Sequence, residues 1–305
     1  MKIIFMGTPY FSIPSLKSLL ESKHEVVAVV TTPDKERGRG QKISFTPVKE
    51  FALKNNLPVL QPEKLKNNSQ FVEELKKFDA DLYVVVAFRI LPVEVFSVPP
   101  KGSFNLHASL LPKYRGAAPI QWALINGETE TGLTTFKLAE KVDTGNIYLK
   151  EKIEIKPDDN FESLHDRLSE IGSKVVLQTV EMIDSGNYEL KNQDDSLATP
   201  APKITKEICK IDWNKPAREI HNLIRGLSPI PGAYFEFKDK IIKVYQSEVI
   251  ERNDLKPFQI YQTKTELIIG CGVNALKILL LQQEGKKRMG IEEFLRGFSF
   301  IANIG

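Results

Sequence analysis

From Leu82 the chain runs Leu-Tyr-Val-Val-Val-Ala-Phe88, with no polar residue at every second place to mark a solvent face. A strand apolar on both sides must be covered on both sides, which is the condition of a central strand in a parallel sheet with helices on each face. Residues 2–6 (Lys-Ile-Ile-Phe-Met) and the valine-rich residues 25–31 have the same character, and residues 14–22 between them carry helical spacing. Residues 103–107 add a further strand. The alternation predicts a doubly wound, mostly parallel α/β sheet, in which ligands bind beyond the carboxyl ends of the strands. Residues 131–140 and 146–155 read as a strand pair. Asp159-Asn-Phe-Glu162 reads as a capping box opening a helix that ends near Ser185-Gly186.

The chemistry concentrates in Gly102-Ser-Phe-Asn-Leu-His-Ala-Ser-Leu-Leu-Pro-Lys-Tyr-Arg-Gly-Ala-Ala-Pro-Ile-Gln121 and in Val142-Asp-Thr-Gly145. Asn105 and His107 are two apart, so on a strand they share a face. An amide donor beside an imidazole suits a developing oxyanion, and the Asp143 carboxylate on a turn-prone loop suits orienting the ring or moving a proton. By itself such a pair equally suits a strand end and a satisfied structural histidine. His24, His165 and His221 have no metal-ligand spacing and read as surface or packing residues, so no metal is expected. Gly7 stands alone where a dinucleotide site needs three glycines, which argues against a nicotinamide enzyme.

The 305 residues allow two domains, each with its own core. Residues 188–206, polar and proline-bearing, read as a linker between a domain at 1–187 and one at 207–305, where a helix near 216–226 precedes several short strands. Residues 206–305 carry 16 Lys and Arg against 12 Asp and Glu, a moderate excess that fits a polyanionic partner. Residues 33–47 form a long, irregular connection in which Arg37, Arg39 and Lys42 alternate with glycines. It has little apolar surface to bury, so a polyanion is what would order it. Two distant cysteines and the absence of any long apolar run lead to the expectation of a cytoplasmic protein.

Six landmarks in order, Ile4-Phe-Met-Gly-Thr-Pro9, Pro33-Asp34 with Gly38-Arg-Gly40, the 102–121 block, Asp143-Thr-Gly145, Ile211-Asp-Trp213 and Gly285-Lys-Lys-Arg-Met289, resemble the 10-formyltetrahydrofolate-dependent formyltransferases. The match is fullest with members that formylate methionyl initiator tRNA, and it covers residues 1 to about 296. The resemblance implies a Rossmann-like catalytic domain followed by a small OB-like β-barrel. It implies catalysis by Asn105, His107 and Asp143, and a 10-formyltetrahydrofolate donor against Phe88, Arg89, Ile90 and Leu91 and against Ser109, Leu110, Leu111 and Pro112. It also implies initiator methionyl-tRNA as partner, contacted by Arg37, Arg39 and Lys42 and by Lys286, Lys287 and Arg288. The loop at 87–92 is one residue shorter than in the family. The rival readings are a relative acting on a small amine, such as an amino sugar, and a catalytically silent RNA-binding module on the same scaffold.

Overall fold

The computed structural model describes residues 1–37 and 42–300. The chain forms two compact units. One comprises Met1–Gly116, Thr131–Ile153 and His165–Pro200, and the other Ala117–Glu130, Glu154–Leu164 and Ala201–Gly305. The division therefore follows no single cut in the sequence. The helix Pro119–Ile125 shows why: Ile125 packs on the core that contains Ile220 and Ile224 of helix Ala217–Gly226, a hundred residues away.

The first unit is built on seven strands: β1 (Lys2–Gly7), β2 (Glu25–Val30), β3 (Val59–Leu60), β4 (Leu82–Val86), β5 (Ser103–His107), β6 (Glu130–Lys137) and β7 (Ile147–Glu154), in the order β7-β6-β5-β4-β1-β2-β3. The pairs β1/β2, β2/β3, β1/β4 and β4/β5 are parallel, and β5/β6 is antiparallel. All five residues of β4 are buried, as its two-sided apolar pattern requires. Strand order reverses between β1 and β4, so the crevice at their carboxyl ends is the topological switch point. There Gly7 pairs with Val86, and Val86 with Leu106, which brings Asn105 and His107 to the same edge.

Gly7 is explained by close approach. A Cβ there would lie 2.8 Å from the Cβ of Ser12, whose hydroxyl donates to the Val86 carbonyl at 2.7 Å. The lone glycine thus lets the turn after β1 lock onto the end of β4. The 161–185 helix is bounded as Phe161–Ser185, and Gly186 follows at φ +71°. Its cap sits one residue later than the sequence pattern suggests: the Asn160 side chain accepts from Ser163 N–H at 3.0 Å, and Ser163 Oγ accepts from Asn160 N–H at 3.1 Å. Asp159 instead accepts from Lys156 N–H. The supposedly irregular 33–47 connection contains a short antiparallel pair, Lys35–Arg37 with Lys42–Ser44.

In the second unit the expected small barrel is realised as a curled, six-stranded antiparallel sheet. Its order is Ala233–Phe237, Lys240–Ile250, Ala275–Gln283, Leu267–Gly270, Ile260–Gln262, with Met289–Gly290 also on Ala275–Gln283. Register shifts around Gln246 bend the long strand, as bulges do. Helix Ala217–Gly226 packs on this sheet, and His221 Nδ1 lies 3.1 Å from Ser247 Oγ. Burial, with Arg225 and Arg218 nearby, lowers the His221 pKa from 6.5 to about 4. The unfolded chain takes up that proton first, so this contribution is complete above about pH 6.5 and is lost as the pH falls towards 4. His221→Gln should therefore show a smaller drop in urea midpoint between pH 7 and pH 5 than the parent; equal drops would exclude His221 as the source. Among the described residues, no helix is long and apolar enough to cross a membrane.

Candidate active site

Asn105 and His107 lie on β5, one strand out from the switch point. Leu106 between them points to the opposite face, where a Cβ on Gly172 of the 161–185 helix would touch its Cδ2. Asn105 is only partly buried, and its side-chain amide has no hydrogen-bond partner among the described residues. A donor left open at the end of a central strand is what an oxyanion needs.

His107 is 6% exposed, and its Nε2 lies 2.8 Å from the Tyr114 carbonyl. A carbonyl only accepts, so Nε2 carries the proton and Nδ1 is left for chemistry. Nδ1 faces Asp143 Oδ2 at 3.9 Å, beyond hydrogen-bond distance. Tyr114 therefore makes the hydrogen bond that orients the ring, and the carboxylate stands at ion-pair distance on the other side. Asp143 Oδ2 accepts instead from Gly116 N–H at 2.9 Å. Asp143 sits at φ +56°, in the left-handed region that few side chains tolerate. Two residues on, Gly145 lies so close to the Lys137 carbonyl that a Cβ would be 1.6 Å from its oxygen.

Sequence reasoning missed the residues that brace this arrangement. Gln193 Nε2 donates to the carbonyls of Asp143 at 2.9 Å and Gly145 at 2.8 Å, while its Oε1 accepts from Arg115 Nε at 3.1 Å and Nη2 at 2.7 Å. Arg115 Nη2 also reaches Asp195 Oδ1 at 2.6 Å. Thr199 Oγ1 accepts from Tyr114 N–H, and the Thr199 carbonyl from Arg115 N–H. Residues 191–199, part of the expected linker, are therefore hydrogen-bonded into the site. The only early signal was the family-like Tyr-Arg-Gly at 114–116; nothing local marks Gln193.

The proposed donor residues divide. Ser109 and Leu111 are fully buried, the Ser109 hydroxyl donating to the Lys113 carbonyl and Leu111 packing with Phe136 and Ile147. Their side chains shape the turn; Pro112 is likewise buried and only Leu110 is partly exposed. Beyond β4, Leu91 belongs to the core with Tyr83 and Val95, whereas Ile90 is 72% exposed and Phe88 half-buried. Phe88 and Ile90 thus offer apolar surface suited to a flat ring. Arg89 is turned away to the carbonyls of Pro62 and Glu63, at 2.7 and 2.9 Å, and burial lowers its pKa.

Among the expected tRNA contacts, Arg39 lies outside the described residues, as do the side chains of Arg37 and Lys42. Lys286, Lys287 and Arg288 are exposed on the turn before Met289–Gly290. The Arg288 guanidinium stacks on the Tyr245 ring, 3.6 Å from its centroid. His24, Glu181 and Asp184 do cluster with ligand-type atoms within 4.8 Å of one another. Lys23 already bridges both carboxylates there, at 2.8 and 3.7 Å.

Residues 1–180 match the family model "Formyl transferase", and residues 203–299 match "Formyl transferase, C-terminal domain". The chain belongs to the formyl transferase family. A curated relative, the methionyl-tRNA formyltransferase of Caldanaerobacter subterraneus subsp. tengcongensis, is 51% identical over 299 residues, 97% of each chain. The fold also matches WlaRD, a sugar 3N-formyl transferase solved with dTDP and 5-N-formyl-THF, at TM-score 0.69 and 20% identity over 94% of this chain and 99% of that one. HypX from Aquifex aeolicus, solved with tetrahydrofolic acid, matches at TM-score 0.67 and 18% identity over 97% of this chain; the chain spans about half of HypX, 47% of its length.

Proposed function

We propose that this enzyme transfers a formyl group from 10-formyltetrahydrofolate to the α-amino group of methionine on initiator tRNA. The observation that carries the reading is the open Asn105 amide beside His107 and Asp143 at the switch point, in a chain 51% identical to a methionyl-tRNA formyltransferase along its whole length. The neutral amine attacks the formyl carbon. The Asn105 amide and the Nδ1–H of a protonated His107, anchored through Nε2 on Tyr114, hydrogen-bond the oxyanion. Asp143 takes the proton from the attacking amine for delivery to the departing folate nitrogen, so the carboxylate ends the cycle unchanged. Phe88, Ile90 and Leu110 give the pterin its apolar surface. No residue of this scheme is a metal ligand.

The reacting side chains belong to the sequence region 1–187, braced by Gln193 and Thr199 of the 188–206 segment, and the 207–305 region binds tRNA with Lys286, Lys287 and Arg288. Arg37, Arg39 and Lys42 reach the acceptor stem. Such phosphate contacts make affinity fall with salt. The reaction takes place in the cytoplasm.

The second reading, an amino-sugar acceptor, draws on the fold shared with WlaRD. The test offers the enzyme and 10-formyltetrahydrofolate to methionyl initiator tRNA and, separately, to an amino-sugar nucleotide. Formylation of the tRNA, with a KM that rises steeply with salt, is expected. Turnover confined to the sugar would overturn the proposal.

A further inference from the structure

We propose that Gln193 is a positioning residue of this site, a clamp that sets the Asp143 carboxylate opposite His107. The inference rests on the reading of Asp143 as the proton-transfer group, and it adds a residue that the sequence pattern does not mark.

The Gln193 amide has only one workable orientation. Both partners of its nitrogen, the Asp143 and Gly145 carbonyls at 2.9 and 2.8 Å, are acceptors. Both partners of its oxygen are Arg115 guanidinium donors, at 3.1 and 2.7 Å. A flipped amide would lose all four bonds, so the donor and acceptor ends are assigned by chemistry. The half-buried side chain therefore grips the backbone on both sides of Thr144 and ties it to Arg115.

Arg115 is the middle of a tripeptide whose neighbours hold the two reacting side chains. Tyr114 gives its carbonyl to His107 Nε2, and Gly116 gives its N–H to Asp143 Oδ2. The three residues Tyr114, Arg115 and Gly116 thus address His107, Gln193 and Asp143 in turn. Among the described residues, Gln193 is the partner of the Asp143 carbonyl, beside a local Thr144 Oγ1 bond to the Lys141 carbonyl at 2.9 Å, and it helps hold the left-handed backbone of Asp143 at φ +56°. The ion pair from Arg115 to Asp195 does not replace the clamp, because Asp195 is 77% exposed and such pairs contribute little. Among the described residues, His107 stands across the gap from Asp143 and Arg115 is linked to it through Gln193.

The test uses the full-length enzyme with Gln193→Met, which keeps the length and removes every polar bond, and Gln193→Glu, which keeps the Arg115 contact and replaces the donor by a carboxylate facing two carbonyls. The clamp predicts that both variants lose roughly 10–10²-fold in kcat, the scale set by a small misplacement of a reacting group. KM for tRNA and for the folate donor stays unchanged, and the kcat–pH profile is displaced. The second readout needs no turnover: the Gly116 amide resonance in a ¹⁵N-labelled protein reports the hydrogen bond from Gly116 N–H to Asp143 Oδ2 and should shift in both variants. Wild-type kcat, pH profile and Gly116 chemical shift in the two variants, even with a lowered Tm, would make Gln193 a structural residue and overturn the proposal. If the parent itself transferred no formyl group, the reading of the activity would fail while the Gly116 chemical shift still decided whether Gln193 places Asp143.

Discussion

Asn105→Ala and His107→Ala should each lower turnover by ~10²–10³-fold, the usual loss for one preorganised oxyanion donor, with little change in substrate KM. The two have different structural reasons. The Asn105 amide is unsatisfied within the described protein, so its removal leaves no buried group without a partner. His107 is buried and its loss frees the Tyr114 carbonyl, so some destabilisation accompanies the catalytic defect. Steady-state turnover beside a denaturant melt separates the two effects. Near-normal kcat in a folded His107→Ala protein would remove the ring from the mechanism.

Gly145→Ala should be as damaging as Asp143→Ala, though no reacting atom is touched. The new Cβ would lie 1.6 Å from the Lys137 carbonyl oxygen, and both sides of that clash are backbone. The turn between β6 and β7, where Lys137 N–H donates to the Asn146 carbonyl at 2.8 Å, must open to accept it. Opening the turn carries Asp143 away from His107. We expect a loss of at least about 1–3 kcal/mol in stability, typical of overpacking, together with a kcat near that of Asp143→Ala. A variant with the parent's stability and turnover would show that the turn tolerates displacement without moving the carboxylate.

The fold was legible where residue pattern and burial coincide. The two-sided apolar run became the fully buried β4, and the N-x-H pair landed at the end of its neighbour β5. The placing of Asn105 and His107 on one strand was legible because motif and strand period agree. Two features were not. Ser109 and Leu111 occupy family positions, yet a motif cannot show which way a side chain turns, and here one closes a turn and the other fills a core. Gln193 lies fifty residues from the carbonyl it grips, in a polar segment whose composition suggests a tether. Its partners are backbone atoms, and backbone acceptors leave no mark in a sequence.

The hydrogen bonds made by Gln193 and accepted by Thr199 have a consequence for the order in which the site is made. A ribosome that has reached residue 187 has already produced every strand of the first sheet and all three reacting side chains. It has not yet produced the amide that clamps the Asp143 turn or the threonine that receives Tyr114. Competence therefore arrives late in synthesis, with the segment that leads into the last third of the chain, and a nascent chain cannot carry the braced site ahead of that passage.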